Sequence, residues 1–344
     1  MPTTKNLTST KLESCHILRP LGYYLIILWI MSTFLNGSIL YIFIRYKKIR
    51  QTSTNIFIGG LILVDFIGGC FEIPLPAIAL INCKWIFAYV GCVFEAMIAY
   101  FAGCSNMYML CLLSIDRYFV VSRSFATTTI TPKQSYILIF CAYLVAFLWT
   151  LMPLFGWSTY DYEGIGASCS IKWEDRSLNV ISYNMTILIF VYLIPVLIMI
   201  IANVNVIQII RERRRNTAMN FSNTHIRHQL LIERRVAHTI GLIIGGFLLA
   251  WTPYAITVVV RMFVEENSFP PIFGTIPALF AKTSVVWNPL IYVMRNGNFR
   301  HLVPFFAYRR IGRKQRSPDQ VNFSVYPYSA VQLPLTIPTR TGDS

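Results

Sequence analysis

Charge is what this chain has least of. Only 13% of its 344 residues are Asp, Glu, Lys or Arg, against 55% that are hydrophobic. A soluble domain of this length cannot hide so much apolar surface, because a large share of its residues must face water; a bilayer removes that constraint. Acidic residues are scarcest, 15 against 30 Lys plus Arg. The basic surplus is not spread as a nucleic-acid surface would need. It gathers at the ends of long apolar runs: Arg45 to Arg50, Arg211 to Arg215, Arg234 with Arg235, and Arg309 to Arg316. Alternate connections carry Asp161, Glu163, Glu174, Asp175, Glu265 and Glu266 instead. That alternation is the positive-inside bias of a multispanning protein, and it sets nucleic acid aside as a partner. No cleavable signal peptide is evident, since the first 20 residues are polar and the first apolar run is long enough to span and stay. No internal repeat or pair of broken helices is apparent, which argues against a transporter. No cysteine follows Cys169, so palmitoylation beyond the last span is excluded.

Long apolar runs are there in number. Crossing the hydrocarbon core takes roughly 20 residues of helix, and such runs lie at 21–45, 55–81, 88–121, 135–157, 181–210, 233–263 and 271–294. The expected fold is therefore an all-α membrane protein, a bundle of seven transmembrane helices over 21–294. The tail 1–20 is expected outside the cell, with a glycosylation sequon at Asn6. A short amphipathic helix is expected on the cytoplasmic membrane surface over 295–308, and a disordered cytoplasmic tail over 309–344. Prolines 74, 76, 153, 195, 253, 277 and 289 fall inside spans, where neighbouring helices or water must satisfy the carbonyls they free.

Ionisable groups within a span are expensive, by at least about 2.5–3.5 kcal/mol for Lys or Asp at a helix centre, and so point to function. The informative set is Asp65, Glu72, Glu95, Asp116, Arg117 and Lys282. Asp65 with Asn36 and Asn288 suits a polar cluster around water or a cation, either a structural network or a switch. Asp116-Arg117-Tyr118 ends the third span, where Arg117 can pair with Asp116 or reach Glu233; an ordinary membrane-edge salt bridge is the bland alternative. Asn288-Pro289-Leu290-Ile291-Tyr292 closes the seventh span, and Trp251-Thr252-Pro253-Tyr254 sets a bulky aromatic beside a kink in the sixth.

These four motifs, in order and each on its proper helix, resemble the rhodopsin-like (class A) G-protein-coupled receptors, over about residues 25–302. The resemblance implies an outer ligand pocket, an inner face that opens for a heterotrimeric G protein when the sixth helix swings, arrestin as a further partner, and a place in the plasma membrane. It also implies a disulfide between Cys92 and Cys169 that pins the second outer loop over the pocket. Cys15 and Cys83 are expected outside as well and leave room for a second bridge.

Lys282 narrows the ligand. It stands about ten residues from either end of its span, too far to snorkel. Ion pairing alone remains one reading. The other is an amine that holds an aldehyde as a Schiff base, because a desolvated lysine loses its proton more easily and becomes a nucleophile. Phe280-Ala281-Lys282-Thr283-Ser284, leading into Asn288-Pro289, resembles the retinal-attachment segment of opsins, and Gly156-Trp157-Ser158 with the run from Glu163 to Cys169 resembles the lid over retinal. The resemblance implies covalent retinal, 11-cis or all-trans, on Lys282, with Gly103, Trp251, Tyr254 and Ala281 in its pocket. A protonated Schiff base needs an anion. Glu95, one turn past Cys92, is the favoured counterion, ahead of Glu163 in the lid and then Glu72, which a spacing of seven puts on the same face as Asp65. Three carboxylates around one cation imply that at least one holds a proton.

Asp161-Tyr162-Glu163 and the stretch from Gly166 to Trp173 are similar to peropsin, the retinal-pigment-epithelium receptor group and neuropsin, although Glu95 departs from them. Tyr143 stands where the superfamily places a tryptophan, and Asn203 where it places a tyrosine. The expected function is a light-sensing receptor in which photoisomerisation moves the sixth helix and activates a G protein. The alternatives are a retinal photoisomerase that signals little, and a class A receptor for a diffusible ligand. No metal site is expected, and the chain is not read as an enzyme outside that photoisomerase alternative.

Overall fold

The computed structural model describes residues 15–123, 130–173, 175–219, 224–263, 270 and 272–295. The Asn6 sequon, the surface helix beyond residue 295 and the tail from 309 lie outside the described residues.

Among the described residues, six helices are long and apolar enough to cross a membrane: Leu18–Arg45, Ser53–Asn82, Ala88–Ser122, Pro132–Phe155, Leu178–Asn216 and Leu230–Phe263. The first belongs to α1 (Cys15–Arg45), which begins inside the stretch expected to be tail. The second crossing is built from α2 (Ser53–Ile67), a π turn (Gly68–Glu72) and α3 (Pro74–Asn82). The third is α4 (Ala88–Ser122), and the fourth is α5 (Pro132–Leu151) with a 3-10 turn (Met152–Phe155). The fifth joins α6 (Leu178–Ile187), a π turn (Leu188–Leu193) and α7 (Ile194–Met219), and the sixth is α8 (Thr224–Phe263). The seventh is not continuous. It is α9 (Ile272–Ala281) and α10 (Ser284–Arg295), which part at Lys282 and Thr283.

Local chemistry explains these boundaries. Thr131 caps α5 by accepting from the Gln134 amide, while the Gln134 side chain accepts from the Thr131 amide, and Pro132 opens the helix where its missing N–H is harmless. Each π turn lies just ahead of a proline, Pro74 or Pro195. The wider turn gives the pyrrolidine ring room that an α turn would deny it. Prolines also free carbonyls four residues back, and neighbours take them up. Asn36 donates to the Val285 carbonyl freed by Pro289 at 2.9 Å, and Tyr183 donates to the Trp149 carbonyl freed by Pro153 at 2.8 Å. At the seventh crossing, Thr283 donates from both its amide (3.0 Å) and its hydroxyl (2.7 Å) to the Phe280 carbonyl, which tightens the chain into a turn at the lysine.

The third crossing runs through the middle, packed against the second, fourth, fifth and sixth and against the outer hairpin. Tyr143 donates to the Gly60 carbonyl at 2.7 Å, which ties the fourth crossing to the second. Gly60 has no room for a side chain, since a Cβ there would lie 2.8 Å from the Met109 methyl. Large apolar side chains such as Ile44, Phe140 and Leu249 face outward, as lipid contact requires.

Between the fourth and fifth crossings lies an antiparallel hairpin, β1 (Tyr160–Glu163) and β2 (Ser168–Ile171), in register Tyr160 to Ile171 and Glu163 to Ser168. The disulfide Cys92–Cys169 fastens it to the outer end of α4, as the family resemblance implied. A second disulfide, Cys15–Cys83, joins the start of α1 to the end of α3.

Candidate functional site

Lys282 leaves the turn between α9 and α10 and points into the bundle. Its Nζ donates to Glu72 Oε1 at 2.6 Å and to Glu95 Oε1 at 3.0 Å, and its side chain is 8% exposed. The end of the π turn supplies Glu72, and α4 supplies Glu95 one turn below Cys92. Glu95 has a second partner: its Oε2 accepts the backbone N–H of Cys169 at 2.5 Å. The disulfide therefore holds a hydrogen-bond donor over the carboxylate beside the amine. One ammonium between two carboxylates gathers three charged groups in a small buried space.

Glu163 sits at the end of β1. Its Oε2 accepts from Ser168 at 3.4 Å, and Tyr254, Trp173 and Ser170 lie beside the carboxyl. Burial pushes this carboxyl above its usual range. Of the three carboxylates singled out from the sequence, the structure brings Glu72 and Glu95 to the amine and places Glu163 across the cavity. The spacing argument for Glu72 holds in outcome only. The π turn between Asp65 and Glu72 changes the helical phase, and Glu72 faces inward from that wider turn.

The cavity above Lys282 is walled by Ala96, Ala99, Ala102 and Gly103 of α4, by Trp251 and Tyr254 of α8, by Ala278 and Ala281 of α9, and by the hairpin residues Glu163, Cys169 and Ser170. Trp251 is its floor. The indole stacks on Phe247 at 5.6 Å, meets Tyr254 edge-on at 6.1 Å, and donates to Ser284 Oγ at 3.0 Å. It lies over Gly103, where a Cβ would come within 2.7 Å of its Cη2.

Below the floor, Asp65 accepts from Asn106 and Asn288, each at 2.8 Å. At the cytoplasmic end, Asp116 accepts from Ser53 at 2.5 Å, from Thr54 at 2.7 Å and from Arg117 at 2.9 Å. Arg117 also bonds Thr54 and lies 3.6 Å from Glu233. Tyr118 packs with Val206 and Leu230, and Tyr292 sits near Phe43, ring centres 6.4 Å apart. Asn203 donates to Ser114 at 3.2 Å and to the Met199 carbonyl at 2.7 Å, which joins the fifth crossing to the third. Sequence reasoning missed Asn106, Ser53 and Thr54, and it quoted Ser284 only as part of the segment around Lys282. Small polar residues in a span carry little signal until a charged partner is seen beside them.

Residues 35–292 match the family described as "7 transmembrane receptor (rhodopsin family)". The chain belongs to that family. Its relatives are opsins, and it is an opsin-like G-protein-coupled receptor embedded in a membrane. The receptor is 31% identical over 308 residues to "Rhodopsin, G0-coupled" of Mizuhopecten yessoensis, covering 88% of this chain and 76% of that protein. It is 30% identical over 277 residues to "Visual pigment-like receptor peropsin" of Homo sapiens, covering 80% and 81%. Human "Opsin-5" is 30% identical over 273 residues, with 79% and 76% covered. The fold matches the crystal structure of squid rhodopsin with a TM-score of 0.79 at 28% identity, over 85% of this chain and 81% of that one.

The residues here fit a retinal-like aldehyde. One buried amine opens onto a cavity of small apolar side chains and aromatic rings, and the missing side chain of Gly103 lets the Trp251 indole lie flat as its floor.

Proposed function

We propose that this receptor senses light through retinal held as a Schiff base on Lys282, and that it passes the signal to a heterotrimeric G protein, with arrestin as a further partner. One observation carries the reading: a buried lysine amine, in the middle of the membrane and bracketed by two carboxylates, opens onto an apolar aromatic cavity. When bound, retinal supplies visible absorption and a light-driven change of shape. The protein does the rest. Glu72 and Glu95 neutralise the cation on the Lys282 nitrogen. The Cys92–Cys169 disulfide keeps the hairpin over the cavity and water away from it. Trp251 spans from the cavity to Ser284 of the seventh crossing, so a push on the indole reaches that crossing directly. Arg117, held by Asp116 and close to Glu233, keeps the cytoplasmic ends of the third and sixth crossings together at rest. The name of the Mizuhopecten yessoensis relative makes a G0-type G protein the first to test. The N-terminus is read as extracellular from the charge bias.

The test is to express the receptor, add 11-cis and all-trans retinal separately, and record spectra before and after illumination. Borohydride should then fix the chromophore on Lys282. The Lys282→Ala protein should form no pigment, and a pigment that survives in it overturns the reading. A second reading, a photoisomerase that signals little, is favoured by Asn203, whose amide binds Ser114 within the resting bundle. Extracted isomers after illumination, measured beside G-protein nucleotide exchange, separate the two.

A further inference from the structure

We infer that Glu72 is the acid–base residue for aldehyde capture and release at Lys282, and that Glu95 is the fixed anion of the same site. The inference rests on the reading of Lys282 as an aldehyde-binding amine and gives its two carboxylates different work. Both touch the amine, yet their surroundings differ. Glu95 is fully buried, is not among the side chains that wall the cavity, and has its other oxygen tied to the Cys169 amide at 2.5 Å. Glu72 lines the cavity, keeps slight exposure, and makes the shorter contact, 2.6 Å. An arriving aldehyde therefore meets Lys282 with Glu72 on the open side and Glu95 at the back.

The chemistry needs a group placed as Glu72 is. Lys282 is held as an ammonium and cannot attack a carbonyl until it loses a proton. Glu72 accepts that proton within the 2.6–3.2 Å reach of a general base. The nitrogen then bonds to the carbonyl carbon, and Glu72 returns its proton to the oxygen. Two of the three ammonium protons leave with that oxygen as water, and the third stays on nitrogen. Ammonium plus aldehyde thus gives protonated Schiff base plus water, with Glu72 restored as a carboxylate. Release is the same path reversed. Glu95, pinned by a backbone donor and shut away from the cavity, keeps its charge opposite the nitrogen throughout.

The experiment must separate proton shuttling from a simple change in how readily Lys282 loses its proton, because removing either carboxylate frees the amine. Full-length apoprotein in detergent is treated with formaldehyde and cyanoborohydride, and in parallel with acetic anhydride, from pH 6 to 9. Modification of Lys282 is followed by peptide mass spectrometry. Acylation reads the free amine and access to it; aldehyde capture also requires water to depart. The ratio of the two rates isolates the acid–base step. Glu72→Gln should lower that ratio by on the order of 100-fold, in the range of general acid–base catalysis. Glu72→Asp should lower it less, and Glu95→Gln at least tenfold less. A ratio unchanged in Glu72→Gln, or lowered as much in Glu95→Gln, overturns the inference. If Glu72→Gln does not fold, the Glu72→Asp and Glu95→Asp proteins decide, and equal ratios in these two overturn it. Should wild type form no pigment with retinal while formaldehyde capture still depends on Glu72, the photoreceptor reading falls and this inference stands. Should pigment form while the ratio is indifferent to Glu72, the photoreceptor reading stands and this inference falls.

Discussion

At the residue scale, the site is governed by how many carboxylates surround one amine and which of them water can reach. Glu72, Glu95 and Lys282 were legible in the sequence because a charge within a span has no cheap explanation. The Cys169 amide that braces Glu95 was not, since a backbone donor from a loop leaves no mark on composition. Glu163 carries a pH signature of its own. Burial raises its folded carboxyl above the ordinary 4.5, so between 4.5 and that raised value the folded state holds more proton than the unfolded one. Stability must therefore fall as pH rises through this window. Thermal unfolding of the apoprotein from pH 4 to 8 should show Glu163→Gln equal to wild type at the acid end and gaining on it as pH rises. A constant difference would mean that Glu163 titrates normally.

At the element scale, apolar run length located all seven crossings, yet it could not reveal where helices change pitch. The two π turns and the break at Lys282 and Thr283 are set by hydrogen-bond register, and a hydropathy pattern does not record register. The prolines marked the neighbourhood without naming the residue. The fifth crossing shows what the wider turns do. Tyr192, on the π turn, lies 2.7 Å from the Thr252 hydroxyl, which itself donates to the Leu248 carbonyl one turn below Pro253. That chain fastens the fifth crossing to the sixth beside Pro253. Tyr192→Phe removes one hydrogen bond worth about 1 kcal/mol, so the outward position of the sixth crossing should gain about fivefold in population. Distances between spin labels at the cytoplasmic ends of the third and sixth crossings would measure it, and an unaltered distribution would assign the bond a packing role alone.

At the scale of the whole molecule, the Cys92–Cys169 disulfide spans 77 residues and joins the cavity roof to the central helix. Cys92→Ser should cost about 2–4 kcal/mol of stability and also loosen the donor held over Glu95. Heat inactivation of pigment, compared with Cys15→Ser, checks this: both bridges constrain the chain, but only the first one braces the site. A loss of pigment lifetime equal in the two variants would leave the brace without support. The carbonyls freed by Pro289 and Pro153 carry a further consequence. Each is held by a side chain from a different crossing, Asn36 for one and Tyr183 for the other. No shaft can then straighten or bend at these points without unfastening its neighbour. A disturbance that reaches either shaft at its proline must first draw the bolt that a neighbouring helix has put through it.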